Sequence, residues 1–214
     1  MKTLAAVDTL HPNLIHLVGV LETADYIYVI MEVVDGGELF DNIVENGAYT
    51  EAEAKIVMRS LLSALSFLHS HRVVHRDLKP ENILCKTRLE IKLADFGLSN
   101  VLPDVGADAK LQSRCGTPVY MAPEMLQHRP YNESVDVWSA GIIMYILMSG
   151  SLPFYAENPT EFLEIVLTSE FEFPDDEWGE VSETAKDLIR EILVTDPAQR
   201  PTIEDIMENP WFAD

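Results

Sequence analysis

The chain has 214 residues, 47% of them hydrophobic, and 36 acidic against 15 basic residues give it a net charge of −21 at pH 7. A chain of this length can bury a sizeable core and form one or two domains. So large a negative charge argues against partners such as nucleic acid or an anionic membrane, because both repel a polyanion. It is compatible with basic peptide partners, or with a role in solubility alone.

Cysteine usage and hydropathy exclude further classes. The two cysteines, Cys85 and Cys115, form no CxxC pattern, so neither a disulfide framework nor a zinc site is indicated. No apolar run reaches the roughly 18 residues of a transmembrane helix. The first residues are too few and too soon acidic for a signal peptide. We therefore expect a protein of the cytosol or nucleus.

The first fifth of the chain predicts the end of a helix and two strands. Residues 1–10 resemble a helix tail that ends at His11-Pro12-Asn13, because the residue before a proline disfavours helical geometry. Runs rich in Val, Ile and Tyr at 14–20 and 26–33 predict strands separated by a polar turn. A break at Asp35-Gly36-Gly37 precedes a short helix expected over residues 38–44.

The remainder of the chain predicts mainly helices. Thr50 and Glu53 form a capping-box pattern ahead of a helix expected to end near residue 71. Short strands are expected at 73–74, 83–85 and 90–94. The almost wholly apolar segment 134–150 predicts a buried helix. Asn158 and Pro159 begin another helix, and two more are expected near 182–194 and 202–208.

The most informative stretch is His75-Arg76-Asp77-Leu78-Lys79-Pro80-Glu81-Asn82, followed by Asp95-Phe96-Gly97 and Ala122-Pro123-Glu124. Phosphoryl transfer explains these residue types. It needs a carboxylate to orient a hydroxyl and accept its proton, and Asp77 suits that task. It also needs oxygen ligands for Mg²⁺, and Asn82 and Asp95 suit that one. Each motif alone is weak, since aspartate is common in turns, but all three in this order resemble a eukaryotic protein kinase catalytic domain.

This resemblance implies an α+β, protein-kinase-like fold, made mainly of the helical C-lobe with a partial β N-lobe. Residues 1–33 would be a remnant of the N-lobe, comprising the end of helix C and two strands, and residues 34–214 the hinge and C-lobe. The implied cofactors are ATP and Mg²⁺. In that resemblance Met31 guards the back of the adenine pocket, Glu32 and Val34 offer backbone groups to the base, and Leu84 forms the pocket floor.

The resemblance also implies a substrate class. Lys79 would neutralise charge on the transferred phosphoryl group, and a lysine at this position marks serine/threonine kinases. Thr117 would contact Asp77 and Lys79. Glu38 and Glu81 resemble the glutamates with which basophilic kinases bind an arginine before the acceptor, although both could be ordinary surface charges.

Four further residues are implied to support the site rather than to react. Asp136, an acid inside an apolar helix, would anchor the catalytic-loop backbone. Glu124 and Arg200 would form a buried ion pair that braces the activation segment, residues 95–124. Arg76 is typical of kinases whose activation segment is phosphorylated. The candidate phosphosite is Ser113, modified by an upstream kinase or by autophosphorylation.

Two narrower resemblances follow from short motifs. The chain resembles the calcium/calmodulin-dependent kinase group in three features: Glu38 and Glu81, Asp-Phe-Gly-Leu-Ser at 95–99, and Asn-Pro-Trp at 209–211. The stretch at 177–183 and Thr195-Asp196-Pro197 resemble the checkpoint kinases that carry forkhead-associated domains.

The sequence departs from the family pattern ahead of His11. It contains no G-x-G-x-x-G loop and no V-A-I-K-like strand, and the position of the glutamate that pairs with the β3 lysine falls at about Lys2. We interpret this as a chain begun late, or alternatively as a noncatalytic scaffold that has dispensed with ATP. In either case we expect the helical lobe to fold, to transfer little phosphate by itself, and to associate through an open strand edge near residues 14–20.

Overall fold

A computed structural model of the chain describes residues 11–103, 110–113 and 115–213. The helix tail predicted for residues 1–10, including Lys2, lies outside the described residues. The described part is a helical body that carries three two-stranded antiparallel sheets, in agreement with the predicted α+β class. The strands are β1 (Leu17–Glu22), β2 (Ile27–Met31), β3 (Val73–Val74), β4 (Ile83–Cys85), β5 (Ile91–Leu93) and β6 (Asn100–Val101). The helices are α1 (Leu39–Asn46), α2 (Glu51–Ser70), α3 (Pro123–Leu126), α4 (Ser134–Ser149), α5 (Pro159–Thr168), α6 (Asp175–Trp178), α7 (Glu183–Ile192) and α8 (Ile203–Met207).

The hairpin β1–β2 differs from its prediction at both ends. The first strand was expected from residue 14, but Leu14 and Ile15 are 1% and 2% exposed, and the Ile15 N–H donates to the Leu93 carbonyl over 2.9 Å. These residues attach the hairpin to the body, so β1 begins only at Leu17. The second strand ends at Met31, two residues before its predicted end, although the next N–H, that of Glu32, still donates to the His16 carbonyl of the paired segment.

The hairpin also exposes many apolar side chains on both of its faces. Those at least 44% exposed include Val18, Val20, Leu21, Tyr26, Ile27, Tyr28, Ile30 and Met31. Within the described residues β1 pairs only with β2, so its other edge is open. Open apolar edges favour association, and the expected association of this chain stays a prediction.

Helices α2 and α4 form the centre of the body and agree with their predictions. The capping box is present: the Glu53 N–H donates to Thr50 Oγ1 over 3.3 Å, and the Thr50 N–H donates to Glu53 Oε2 over 2.9 Å. In α4 every residue from Val135 to Met148 is buried, as the apolar run indicated. Gly150 ends this helix with a positive φ of 76°, which glycine adopts at little cost.

Three elements were not predicted: β6, α3 and α6. Helix α6 is a four-residue acidic turn, too short to show a helical period. Tertiary packing holds it, because its Trp178 is fully buried with ring centroids 4.6 Å from those of Tyr145 and Phe173. Of the helices that the structure describes, none is both long and apolar enough to cross a membrane.

Glu51 joins three distant parts of the body. Its carboxylate accepts hydrogen bonds from the N–H and Oγ of Ser182, at 2.9 and 2.7 Å, and from Trp211 Nε1 at 2.8 Å. Partial burial alone would raise the pKa of Glu51, but these hydrogen bonds outweigh it and hold the pKa below its ordinary value of 4.5. The carboxylate is therefore more stable ionised in the folded protein than in the unfolded chain.

We expect Glu51→Gln to lower the free energy of unfolding by about 1 kcal/mol at neutral pH. A carboxylate with a lowered folded pKa stabilises the protein above its unfolded pKa, and that stabilisation is lost as the pH falls through the folded value. The difference between wild type and variant should therefore shrink below a pH of about 4.5. Urea denaturation across this range measures it, with the exposed Glu164→Gln as control; a difference independent of pH would contradict the assignment.

Candidate active site

The loop between β3 and β4, residues 75–82, is the expected catalytic loop, and one buried carboxylate holds its backbone. Asp136, in the first turn of α4, is 1% exposed. Its Oδ2 accepts the His75 N–H over 2.8 Å and its Oδ1 accepts the Arg76 N–H over 2.9 Å. Arg76 has a φ of 70°, a left-handed conformation that costs a side-chain-bearing residue about 1–2 kcal/mol. The expected contact of Asp136 with the loop backbone is thus present and stabilises a strained turn.

Asp136 has a further partner that the sequence reasoning missed. His69, in the last turn of α2, places Nε2 2.9 Å from Asp136 Oδ2. Burial would raise the pKa of Asp136. The hydrogen bond from His69, electrostatic attraction to His69 and His75, and the Arg76 N–H together hold the pKa below 3.8. The carboxylate is therefore ionised. The sequence around His69 does not predict this contact, because only the tertiary fold brings His69 to Asp136.

The loop delivers Asp77 to a cluster of hydrogen-bonding groups. Its Oδ1 accepts the N–H of Thr117 at 3.1 Å and the Thr117 hydroxyl at 3.2 Å. Lys79 Nζ donates to Thr117 Oγ1 over 3.1 Å and lies 3.6 Å from Asp77 Oδ2. The structure therefore brings Asp77, Lys79 and Thr117 together, with a carboxylate held in orientation beside a cation.

Asn82 and Asp95 present oxygen atoms at the same end of the loop. Asn82 Nδ2 donates to the Asp77 carbonyl at 2.7 Å and to its Oδ2 at 3.2 Å, which turns Asn82 Oδ1 away from Asp77. The Ala94 N–H donates to the Asn82 carbonyl over 2.9 Å, so Asp95 follows directly beside Asn82. Asp95 is exposed and held at a φ of 56° while its Oδ1 accepts the Gly97 N–H.

This oxygen pair fits Mg²⁺, which binds through one or two carboxylate or amide oxygens and completes its shell with water and substrate phosphates. No cluster of three or more His, Cys, Asp or Glu capable of holding a metal occurs within residues 11–103, 110–113 and 115–213. The phenylalanine after Asp95 is buried, with its ring 5.2 Å from that of His75.

The residues expected around adenine line the junction of hairpin and body. Leu84 and Val34 are half-buried against the core, whereas Met31 is 44% exposed. Glu32 has its N–H committed to the His16 carbonyl, and its carboxylate pairs with Lys92 over 2.7 Å. The backbone group that Glu32 can still offer a base is therefore its carbonyl oxygen.

The two glutamates expected to bind substrate differ in their surroundings. Glu38 is half-buried at the start of α1 and its carboxylate makes no capping hydrogen bond. Glu81 has a buried Oε2 with no hydrogen-bond partner among the described residues. Burial, and then the charge of Glu81, raise the pKa of the neighbouring Tyr120. An unpartnered buried carboxylate oxygen is costly, so Glu81 is suited to a cation from outside.

Ser113, the candidate phosphosite, lies against Arg76. Arg76 Nη1 donates to Ser113 Oγ over 2.6 Å and to the Tyr131 hydroxyl over 3.2 Å. The Tyr131 hydroxyl donates to the Ser113 carbonyl over 2.7 Å. Ser113 is exposed, whereas its neighbours at 104–109 and 114 lie outside the described residues.

Glu124 and Arg200 form a buried, two-pronged ion pair. Arg200 Nη1 lies 2.9 Å from Glu124 Oε1, and Nη2 lies 3.2 Å from Oε2. The same guanidinium donates to the carbonyls of Ser134 and Val194, at 2.7 and 3.1 Å. The pair therefore ties α3, which ends the activation segment, to the start of α4 and to the loop after α7.

We expect Arg200→Met to destabilise the protein by about 3–5 kcal/mol, because Glu124 would be left charged and buried. Chemical denaturation measures the loss. The double variant Glu124→Leu/Arg200→Met should recover a large part of it. The control Lys86→Met removes an exposed pair with Glu90 and should cost about 0–1 kcal/mol. An equal loss in the single and double variants would contradict a penalty from the stranded charge.

Comparisons with known proteins agree with the family resemblance of the sequence. A family model described as protein kinase domain matches residues 1–212. Myosin light chain kinase A of Dictyostelium discoideum is 44% identical over 205 residues, covering 94% of this chain and 68% of the relative. Calcium/calmodulin-dependent protein kinase type 1 of Macrobrachium nipponense is 46% identical over 206 residues, covering 95% of this chain and 59% of the relative.

A human relative, calcium/calmodulin-dependent protein kinase type 1B of Homo sapiens, is 45% identical over 206 residues, with 95% and 59% covered. A probable myosin light chain kinase of Dictyostelium discoideum is 43% identical and is covered over 52% of its length. The chain thus spans about half to two thirds of the length of these relatives. None of them is a checkpoint kinase with a forkhead-associated domain, so that narrower resemblance has no support from them.

Proposed function

This chain belongs to the protein kinase family, within the calcium/calmodulin-dependent group of serine/threonine kinases, and we propose that it phosphorylates arginine-directed sites with MgATP. The predicted fold class and the predicted enzyme class, a protein kinase, are confirmed by the family match. The arginine preference, the residue roles and the activity of these 214 residues by themselves are our proposals. Substrates would be proteins with basic residues before the serine or threonine acceptor, and this protein would act in the cytosol or nucleus.

The observation that carries the proposed chemistry is the contact set around Asp77. In our proposal Asp77 orients the serine or threonine hydroxyl and accepts its proton as the hydroxyl oxygen bonds to the γ-phosphorus and ADP leaves. Thr117 holds Asp77 Oδ1 through two hydrogen bonds, which leaves the carboxylate little freedom to turn. Lys79, 3.6 Å from Asp77, neutralises charge on the transferred group.

Asn82 and Asp95 would hold Mg²⁺, which, when bound, neutralises the phosphate oxygens of ATP. Asn82 keeps its oxygen available for this because its Nδ2 is engaged with Asp77. The same hydrogen bonds couple the metal-binding amide to the catalytic carboxylate, so the two groups hold one geometry.

Glu81 and Glu38 support the arginine preference. The unpartnered oxygen of Glu81 is buried at the base of the catalytic loop, where a guanidinium would satisfy it with a charge-assisted hydrogen bond. The net charge of −21 would also attract basic substrates. We further propose that Ser113 is phosphorylated, by an upstream kinase or by the protein itself, since Arg76 already reaches its hydroxyl.

A second candidate is a noncatalytic binding module that presents the groove of the large lobe to partners. It is the alternative interpretation of the same sequence, and the unpartnered oxygen of Glu81 would serve a bound partner equally well. Titration with MgATP separates the candidates, since affinity near that of ordinary kinases would argue against a purely binding role.

The first test uses a completed chain, in which a family member's glycine-rich loop, lysine-bearing strand and helix C with its paired glutamate replace residues 1–10. We expect it to phosphorylate a serine peptide with an upstream arginine, and Asp77→Asn to lower kcat by about 10²–10⁴. The exposed Asp187→Asn is the matched control and should retain activity.

In the same assay, Glu81→Gln should raise KM for the arginine peptide and leave KM for its alanine counterpart unchanged. Absence of transfer by the completed chain, or full activity in Asp77→Asn, would refute the proposed function. Equal effects of Glu81→Gln on both peptides would refute the proposed arginine contact.

The second test concerns the 214 residues by themselves, for which we expect very weak transfer. Losing one pre-organised contact to a transition state costs about 10²–10³ in rate, and several phosphate contacts would be missing together. Single-turnover transfer from labelled ATP should therefore be at least about 10³ slower than in the completed chain. Rapid turnover by the purified monomer would show that the covering loop is dispensable.

A further inference from the structure

His69 connects helix α2 to the catalytic loop through the carboxylate of Asp136. It lies in the last turn of α2, outside the motifs that carry the chemistry. Its Nε2 is 2.9 Å from Asp136 Oδ2, and the two side chains are 12% and 1% exposed. The same Oδ2 accepts the His75 N–H, so one carboxylate oxygen bonds both to α2 and to the catalytic loop.

The geometry of Asp136 explains why a third donor matters. The two loop N–H groups take one hydrogen bond on each oxygen, and both lie on the same stretch of backbone. Asp136 itself belongs to α4, but the loop bonds alone leave its carboxylate able to turn about the side-chain torsions. The bond to His69 ties the carboxylate to α2 as well, so both central helices fix the group that holds the loop.

The path from Asp136 to the catalytic carboxylate is short and tightly packed. Arg76 is held at a φ of 70° by its N–H bond to Asp136. Its carbonyl oxygen lies so near Gly116 that a Cβ there would approach it to 2.6 Å. The next residue along the activation segment, Thr117, donates twice to Asp77 Oδ1. A shift of Asp136 would therefore be transmitted to both sides of the Asp77 contact set.

We propose that His69 is a positioning residue for catalysis, which orients Asp77 by fixing the Asp136 carboxylate from helix α2. His69 also lines a cavity of about 480 Å³ with Ser66, Asn132, Glu133, Arg200 and Glu204. The imidazole thus borders this cavity while its Nε2 bonds to the buried carboxylate. The inference rests on the proposed function for its kinetic readout only, since the loop geometry can be measured without transfer.

Two substitutions separate donation from simple space-filling. His69→Gln places an amide nitrogen at about the reach of Nε2, whereas His69→Asn carries the same amide one bond closer to the backbone, too short to reach Asp136. In the 214-residue protein, amide hydrogen exchange reports the anchored N–H groups of His75 and Arg76. We expect exchange about tenfold faster in His69→Asn, and within about twofold of wild type in His69→Gln.

The kinetic arm uses the completed chain. His69→Asn should lower kcat about tenfold with peptide KM changed by less than twofold, and His69→Gln should restore kcat. A residue that only stabilised the fold would shift thermal unfolding without separating kcat from KM. Wild-type exchange and kcat in His69→Asn, or equal losses in both variants, would overturn the proposal. If His69→Asn fails to fold, His69→Gln decides alone, since loss of its anchored exchange protection would refute the inference.

These outcomes are independent of the proposed function. If no completed chain transfers phosphate, yet the exchange of His75 and Arg76 follows the predicted order, the anchoring by His69 stands and the proposed function fails. If transfer occurs and the exchange is unaffected, the proposed function stands and the inference about His69 fails.

Discussion

The site depends on one ionised carboxylate in the apolar interior. Asp136 belongs to helix α4, whose residues are buried from Val135 to Met148. An unpaired charge at such a buried position would be strongly destabilising. The hydrogen bonds of Asp136 to the backbone of His75 and Arg76 remove that cost and impose the left-handed turn that the loop requires. This turn at Arg76 sets the position of the next residue, Asp77. That position allows Asp77 to contact Thr117, Lys79 and Asn82.

Two of the five non-glycine residues with a positive φ among the described residues lie where the chemistry is proposed. Asp95, like Arg76, has a positive φ without being glycine, and each is held by a specific hydrogen bond within the site. Strain of this kind persists only where the surrounding structure determines the conformation. The Glu124–Arg200 pair supplies part of that surrounding structure, because it fixes the end of the activation segment that carries Thr117.

Local sequence predicted the elements whose signals are local. The Thr50 capping box, the apolar run of α4 and the Asn158 cap each involve residues close in sequence, and each was found as predicted. The residues of the candidate site were proposed because their types suit phosphoryl transfer and because their order resembles that of the protein kinase family. An acid within an apolar helix likewise indicated that Asp136 needed hydrogen-bond donors.

What the sequence did not predict depends on contacts between distant residues. The late start of β1 follows from the burial of Leu14 and Ile15 and from the backbone hydrogen bond of Ile15 to Leu93. Helix α6 is held by the burial of Trp178. His69 reaches Asp136 across 67 positions of sequence, with no local pattern to reveal the contact. The forkhead-associated resemblance rested on two short stretches, 177–183 and 195–197, and the relatives found give it no support.

A crystal structure of the Asp136→Asn variant tests the central claim most directly. The asparagine retains the shape of the side chain, but it turns an NH₂ group toward one of the two loop N–H donors and lacks the negative charge. Our account predicts that Arg76 leaves the left-handed region and that the hydrogen bonds from Thr117 to Asp77 Oδ1 lengthen or break. An unchanged turn at Arg76 with both of these bonds intact would show that the loop does not depend on the buried carboxylate.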